Sequence, residues 1–393
     1  MNVPKLRFKE FNDEWVTCTI NSVAEVISGG TPDTTNSNYW DGSINWFTPS
    51  EVGKSKYISN SKRKITQLGL QKSSAKLLPV GTILLSSRAT VGESSILSNN
   101  EACTNQGFQS LIPHKNINNE FLYYLIYKYK KSLLKQAFGS TFLEISKNNV
   151  EKIKINIPTA MKEQVKLSTF LSLLDKKIEL QTKKIEALKL FKSSQICTIL
   201  NKLEHKNVFL KNLGYFISGN PIGKDKITDK GIPVILYGDL YTKYEEEIND
   251  VNQYVKENKK YIKSEKGDLI FPTSTTVDAI SLISPSVINI SDVVYGGDLI
   301  VFKVNKAIVN PKFLSYQINH LKKKEFSKKA QGSTIIHIHA DDLLNSTVEI
   351  PIMKYQKIIS NFGSAINKKI ELEKNKLDKL KLLKIGLLQN MFI

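Results

Sequence analysis

The strongest constraint on the fold of this chain is that its sequence repeats once, at an offset of about 190 residues. Gly-Ser-Thr occurs at 139–141 and at 332–334, and a proline follows each glycine after 19 residues. Lys-Lys-Ile-Glu-Leu occurs at 176–180 and again at 368–372, 192 residues later. Several separate matches in one register predict a tandem duplication, in which each copy folds in the same way.

Each copy changes character midway. Residues 15–157 and 208–350 are rich in Gly, Ser, Thr and short β-prone runs, which is typical of a sheet-containing globular region with many loops. The segments after the two prolines run for many residues without Gly or Pro and read as single helices of about 40 residues. We therefore expect an α+β fold with mixed α/β domains at 1–160 and 204–352 and long helices at 161–203 and 353–393.

The two predicted helices share a heptad pattern with alternating steps of four and three residues. A narrow apolar seam on a charged helix needs a partner along its length, so we expect the two helices to form an antiparallel coiled coil. Two unrelated surface helices, each packed on its own domain, are the alternative. The seam residues are Leu174, Ile178, Gln181, Ile185, Leu188, Lys192, Gln195 and Ile199, and Ile366, Ile370, Glu373, Leu377, Leu380, Lys384, Leu387 and Met391.

Charge indicates the type of partner. The 393 residues contain 56 Lys and Arg against 37 Asp and Glu, a net charge of +19 and a pI near 9.5. Such a field favours a polyanion, with nucleic acid as the first candidate, although an AT-rich genome also raises the lysine content. A membrane is not expected, because no apolar run approaches about 18 residues. Three widely spaced cysteines suit the reducing cytoplasm.

Short motifs occur in a fixed order along the chain and recur in part in the second copy. The motifs of the first copy are Pro4-Lys5-Leu6-Arg7-Phe8 with Trp15, Ser28-Gly29-Gly30-Thr31-Pro32, Pro79-Val80-Gly81-Thr82, Arg88-Ala89-Thr90-Val91-Gly92, Asn105-Gln106-Gly107, Gly139-Ser140-Thr141, the Ile-x-Ile-Pro that ends at Pro158, and Glu163-Gln164. In the second copy Asn220-Pro221 replaces Gly-Thr-Pro and Tyr355-Gln356 replaces Glu-Gln. In this order the motifs resemble the specificity subunit of type I restriction-modification systems over essentially the whole chain.

The resemblance implies a non-catalytic subunit that binds double-stranded DNA. Each globular region would be a target-recognition domain that reads half of a split site, and the helices would set the spacer and dock two methyltransferase subunits. S-adenosylmethionine, ATP and Mg²⁺ are then expected on the methyltransferase and the restriction/translocase subunits, and no cofactor on this chain.

Motifs for chemistry in the chain itself are weak. Residues 219–224 resemble a phosphate-binding loop, but the loop is one residue short and Asp225 follows its lysine. His337 and His339 resemble part of a zinc-hydrolase motif, but Asp342 stands where a further histidine would be needed. We expect no metal site and no catalytic residue. Two alternatives are left open. One is a stand-alone nuclease or methyltransferase with a duplicated recognition domain, and the other is a structural coiled-coil scaffold.

The candidate DNA-binding residues lie in loops and at strand ends. Lysines neutralise phosphates, whereas Arg88, Asn105, Gln106 and Asn220 have side chains that can contact two atoms of a base edge. The full set is Gly30, Thr31, Lys54, Lys56, Lys62, Arg63, Lys64, Ser86, Ser87, Arg88, Thr90, Asn105, Gln106, Thr141, Asn220, Lys259, Lys260, Thr273, Ser274, Thr275, Thr276, Ser333, Thr334, His337 and His339.

Overall fold

The computed structural model describes residues 2–139 and 143–393, and the chain forms two compact units. The first unit is Met1–Leu180 with Lys376–Ile393, and the second is Gln181–Asn375. Each unit therefore combines one globular α/β region with a part of both long helices.

The first unit has ten strands among its described residues, and five helices begin in it. The strands are β1 (Val16–Thr19), β2 (Ala24–Ser28), β3 (Trp40–Phe47), β4 (Tyr57–Ile58), β5 (Arg63–Ile65), β6 (Ile83–Leu85), β7 (Ser94–Leu97), β8 (Ala102–Thr104), β9 (Gln109–Pro113) and β10 (Lys154–Ile157). The helices are α1 (Gln67–Gln71), α2 (Asn119–Lys128), α3 (Lys130–Lys135), α4 (Lys147–Glu151) and the long α5 (Met161–Lys202).

The second unit repeats this plan within the described part of the chain. Its strands are β11 (Lys206–Phe209), β12 (Gly214–Ser218), β13 (Ile227–Thr228), β14 (Ile232–Ile235), β15 (Glu247–Ile248), β16 (Tyr254–Val255), β17 (Leu269–Pro272), β18 (Ser274–Thr275), β19 (Ser286–Ile288), β20 (Val294–Tyr295), β21 (Leu299–Val304), β22 (Ile336–His337) and β23 (Thr347–Ile350). Its helices are α6 (Asp239–Thr242), α7 (Ala279–Leu282), α8 (Pro311–Gln317), a π-helical turn (Ile318–Lys322), α9 (Lys323–Ser327), α10 (Ala340–Leu344) and the long α11 (Met353–Met391).

Sheet topology confirms the α+β fold and the duplication. A five-stranded sheet of order β2-β9-β6-β7-β4 in the first unit corresponds to β12-β21-β17-β19-β15 in the second. The antiparallel pair β1-β10 likewise corresponds to β11-β23. The smaller sheets differ: β5-β3-β8 in the first unit and β13-β16-β14-β20 in the second. The central sheet is thus common to both copies, whereas the smaller sheet varies.

Every seam residue of the two long helices is buried or half-buried, as the heptad pattern predicts. In the second unit the amide of Gln181 donates hydrogen bonds to the backbone carbonyl of Glu373 (2.9 Å) and to its carboxylate (2.7 Å). The ring of Phe191, further along α5, meets that of Phe362, which is earlier in α11. The two helices therefore run antiparallel, and the polar seam pair Gln181–Glu373 is satisfied internally.

A glutamine at the start of each long helix fastens it to the globular region of its unit. The Gln164 carboxamide accepts a hydrogen bond from the Asn118 backbone N–H (2.9 Å) and donates one to the Pro158 carbonyl (3.1 Å). Gln356, 192 residues later, does the same with Asn310 (2.8 Å) and Pro351 (2.9 Å). Both glutamines are buried, and each spans the proline turn and the N-terminus of a shorter helix.

An ion pair recurs where each globular region meets the long helices, a contact that we call the junction, but its polarity is opposite in the two units. In the first unit Lys56, beside β4, donates to Glu120 on α2 (2.8 Å) and to Ser172 on α5 (2.5 Å). In the second unit Glu247, on the corresponding strand β15, pairs with Lys312 on α8 (2.6 Å) and accepts a hydrogen bond from Ser364 on α11. Positions 120 and 312 are 192 residues apart, so the two copies close the same junction with exchanged charges.

The seam lysine Lys192 completes this junction in the second unit. Its buried ammonium lies 2.7 Å from Glu246, next to β15, and 2.7 Å from Asn367 on α11. The equivalent Lys384 on α11 pairs with Asp175 on α5 (2.6 Å) in the first unit. Both lysines belong to the heptad seam predicted from the sequence, and polar residues in such a seam commonly fix its register. The structure gives each of them a specific partner on the opposite helix.

The carboxylates of Glu245 and Glu246, at the junction of the second unit, have lowered pKa values. Burial alone would raise the pKa of Glu245, but hydrogen bonds from Lys189 and Lys374 and the charge of Lys192 lower it to about 2. For the buried Glu246, desolvation is likewise outweighed by His320 and Lys192, which lower its pKa below its usual range. Both glutamates are therefore held in the ionised form by lysines on α5 and α11 and by a hydrogen bond with His320 on the π-helical turn.

Replacing Gln164 with Met should lower the free energy of unfolding of the first unit by about 1–3 kcal/mol, because buried peptide groups lose their partners. Tryptophan fluorescence during urea unfolding reports on this unit, since Trp15, Trp40 and Trp46 all lie in it. Gln71→Met, at an exposed position, is the matched control and should leave the transition unchanged. Equal stability of wild type and Gln164→Met would contradict the anchoring role.

Acid should destabilise the second unit through its junction. Because the folded-state pKa of Glu245 lies below that of an unfolded glutamate, its contribution is fully present above about pH 5 and is lost as pH falls toward 2. Glu245→Gln should therefore show a smaller loss of stability between pH 5 and pH 3 than wild type, by urea unfolding followed with circular dichroism. The exposed Glu257→Gln should behave like wild type, and identical pH profiles for all three would refute this assignment.

Candidate nucleic-acid interface

Three chain segments meet at one end of the central sheet of the first unit. The loop after β2 approaches the loop before β9 so closely that a Cβ at Gly29 would lie 2.0 Å from the Asn105 carbonyl oxygen. Thr31 donates a side-chain hydrogen bond to Gln106 across the same contact. The third segment continues β6, and its Ser87 N–H donates to the Gly107 carbonyl (2.8 Å). We call residues 29–31, 86–90 and 105–107 the interface loops of the first unit.

The second unit builds the same arrangement from residues 219–221, 273–276 and 296–298, its interface loops. A Cβ at Gly219 would lie 2.2 Å from the Gly296 carbonyl oxygen, and the Thr273 N–H donates to the Asp298 carbonyl (2.9 Å). Together with His337 and His339 these loops line a cavity of about 570 Å³. The sequence candidates Thr273, His337 and His339 are thus brought to one site.

The clearest variable position of the interface lies where the third segment meets a second strand. In the first unit Arg88 bridges to Glu144, and its guanidinium donates to the Glu144 carboxylate at 3.0 and 2.7 Å. In the second unit the same backbone contact joins Ser274 to His337. The flanking hydrogen bonds agree, since Ile145 N–H donates to Ser87 and Ile338 N–H to Thr273. One backbone geometry therefore presents an ion pair in one copy and a serine with a histidine in the other.

Most of the charged and polar candidates are accessible to a ligand. Thr31, Asn105 and Thr273 are half-buried, and the Asn105 carboxamide accepts a hydrogen bond from the Gly107 N–H (2.9 Å), which holds its loop. The exposed candidates are Lys54, Lys62, Arg63, Lys64, Arg88, Thr90, Gln106, Lys259, Lys260, Thr276, Ser333, Thr334, His337 and His339. Thr141 lies outside the described residues.

Several candidates support the loops instead of facing a ligand, which corrects the expectation of direct contact. The Asn220 carboxamide is buried and bonds to the backbone of Ile262 and Tyr295, so it cannot reach a base edge. Gly30 is buried, and a side chain there would collide with Ser74. The remaining buried candidates, Ser86, Ser87, Ser274 and Thr275, belong to the same strand continuations.

Lys56 is also corrected, because its ammonium belongs to the junction with the helices. Its side chain is 11% exposed and bonds to Glu120 and Ser172. Burial lowers the pKa of Lys56, and the hydrogen bond and charge of Glu120 oppose that shift. This lysine therefore holds the globular region on its helices and does not present a charge to a polyanion.

Across residues 2–139 and 143–393, His, Cys, Asp and Glu side chains form no group of three or more that could hold a metal ion. His337 lies on β22 and His339 caps α10. Within the same ranges no helix is both long enough and apolar enough to cross a membrane.

Sequence reasoning missed three features. The ion pair of Arg88 with Glu144 joins residues 56 positions apart, and no local pattern signals it. The buried pair of Trp40 and Trp46, 5.0 Å apart, lies under Arg63. The third feature, the junction residues Glu245, Glu246 and Glu247, had a signal: an uninterrupted acidic triplet in a strongly basic chain.

Comparison with known proteins gives concordant results. A family model described as the type I restriction modification DNA specificity domain matches residues 12–190 and 202–382. The MjaIX type I restriction enzyme specificity subunit of Methanocaldococcus jannaschii is 38% identical over 189 residues, 46% of this chain and 43% of that protein. The EcoR124I/EcoR124II specificity subunit of Escherichia coli is 29% identical over 165 residues, 40% of each chain. The chain thus matches less than half the length of these curated relatives.

Solved structures show the same fold. The S subunit of a type I restriction-modification system from M. genitalium aligns over 100% of this chain and 99% of its own, with a TM-score of 0.59 and 17% identity. A chain from a study of complex assembly and conformational transition of the type I R-M system aligns over 96% of this chain and 97% of its own, with a TM-score of 0.61 and 15% identity. At such identities the likeness concerns the fold alone.

Proposed function

Because this chain belongs to the type I restriction modification DNA specificity domain family, we propose that it is the DNA-specificity subunit of a type I restriction-modification complex. Each globular region would read one half of a bipartite site in double-stranded DNA. Catalysis would reside on other subunits: methyltransferases that bind S-adenosylmethionine, and a restriction/translocase subunit that uses ATP and Mg²⁺. The complex would act in the cytoplasm, where DNA is found.

The observation that best supports this role is one scaffold with two sets of side chains. Both units place their interface loops by the same backbone hydrogen bonds, but the exposed Arg88 of one copy corresponds to the buried Ser274 of the other, where the exposed His337 takes the place of Glu144. Donors and acceptors on base edges distinguish base pairs, so different side chains at one position select different bases. Two dissimilar half-sites follow from this difference.

Exposed apolar residues on the long helices support docking of partner subunits. In the first unit Leu382 is 68% exposed and Leu173 63% exposed, and in the second unit Leu190 is 73% exposed. Such residues on a helix face suit a protein interface better than a DNA interface, which is more polar and positively charged. We therefore propose that two methyltransferase subunits bind the helices while DNA meets the interface loops.

Methylome sequencing of a host that carries or lacks this gene tests the function. We expect the gene to add one methylated motif, with two dissimilar half-sites separated by a spacer of fixed length and free sequence. The purified chain alone, incubated with labelled S-adenosylmethionine, should methylate no DNA. Methylation by the chain alone would favour the stand-alone enzyme, and a single uninterrupted motif would refute bipartite reading.

A matched heptad deletion tests whether the helices set the spacer. Removing residues 181–187 together with 373–379 keeps both seams in phase, deletes the Gln181–Glu373 pair as a whole and shortens each helix by about 10 Å. The preferred spacer should shrink by about two to three base pairs, while both half-sites persist. Deleting residues 181–187 alone is the control and should abolish helix pairing. An unchanged spacer in a folded double deletion would show that the helices do not measure it.

A further inference from the structure

Arginine is rare in this chain, and each occurrence has a defined environment. Only three of the 56 basic residues are arginines, and the other 53 are lysines. Arg7 forms a bidentate pair with the carboxylate of Glu163, and Arg88 pairs with Glu144. Arg63 is the exception: it is exposed, and in the described residues no carboxylate and no side-chain hydrogen bond engages its guanidinium. Its N–H donors are therefore available to a ligand.

The Arg63 guanidinium is nevertheless held in place by stacking. Its central carbon lies 3.6 Å from the ring centroid of Trp40 and 5.8 Å from that of Trp46. The two indoles meet edge to face at 5.0 Å, and both are buried, so neither can turn away. Strand pairing sets Arg63 on β5 opposite Trp46 on β3. Stacking on an indole orients a guanidinium before any ligand binds and reduces the entropy lost on binding.

Hydrogen bonds from both indoles also link the Trp40–Trp46 pair to the loop after β2. The Trp46 indole N–H donates to the Gly30 carbonyl (2.9 Å), and the Trp40 indole N–H donates to the Asp33 carbonyl (3.0 Å). Gly30 lies in the loop after β2, whose Thr31 contacts Gln106. The stacked guanidinium is therefore positioned by the same loop that forms the first unit's interface.

The chemistry of this group suits a base edge better than a phosphate. Phosphates are neutralised by any cation, and the exposed Lys62 and Lys64 flank Arg63 for that purpose. A planar guanidinium with two parallel N–H donors instead matches O6 and N7 of guanine in the major groove, which a lysine ammonium cannot reproduce with the same geometry. We propose that Arg63 is a specificity-determining residue that reads a guanine in the half-site of the first unit, an assignment that rests on the proposed DNA-specificity function.

Selection from a randomised duplex library tests this assignment with the full chain. Wild type and Arg63→Lys, which keeps the charge, are each allowed to bind the library, and the bound duplexes are sequenced. Arg63→Lys should lower the preference for guanine at one position by about 5- to 150-fold and leave the rest of the motif intact. Lys64→Met, its exposed neighbour, is the control: it should weaken binding to all sequences alike and reduce the salt dependence by about one phosphate contact.

The other possible outcomes of the selection contradict the role of Arg63, the choice of guanine or the proposed function. An unchanged base preference in Arg63→Lys, or an equal loss of affinity over all sequences, would indicate that Arg63 contacts the DNA backbone and would overturn this inference. A bipartite motif selected by the wild type would still uphold the proposed function. Loss of preference for a base other than guanine would reject the guanine assignment. A wild-type chain that selects no bipartite motif would overturn the proposed function itself, and this inference with it.

Discussion

The buried seam of the two long helices is the contact on which the rest of the structure depends. Neither helix has a face wide enough to be stable alone in water, so α5 and α11 each require the other. The seam is not purely apolar: Gln181 meets Glu373, Lys192 meets Asn367, and Lys384 meets Asp175. Each of these polar side chains has a partner on the opposite helix, which penalises a shifted register, since a shift would leave charges buried and unpaired.

The globular regions are seated on these helices by two kinds of contact. Gln164 and Gln356 make the same hydrogen bonds in both copies, because they satisfy backbone groups that any sequence would have at that turn. The ionic contacts are free to differ, and the pair Lys56–Glu120 is answered by Lys312–Glu247 with exchanged charges. Backbone groups therefore maintain the common geometry of the junction, and side-chain charges distinguish its two copies.

The interface loops also combine backbone contacts common to both copies with side chains that differ between them. Buried residues such as Asn220 and Ser86 hold loop backbones, and exposed residues at the ends of those loops differ between the copies. In the first unit a rare arginine, Arg63, is oriented by two buried indoles, whereas the smaller sheet of the second unit has a different strand order and contains no arginine in its sequence. Rigid support beneath variable side chains lets one fold present different chemistry in its two copies.

The duplication, the two long helices, their shared seam and the α+β class follow from the sequence, because these properties depend on periodicity and on short motifs that recur in register. The sequence also predicted candidate residues in the loops that meet at one end of each central sheet. Which candidate residues face outward depends on the packing of the chain. Asn220 and Lys56 look like ligand contacts in the sequence, but their side chains bond to other residues inside their units. The pairs of Arg88 with Glu144 and of Arg63 with Trp40 join residues distant in the chain. Burial and long-range pairing depend on how strands and helices pack in three dimensions, which local pattern does not encode.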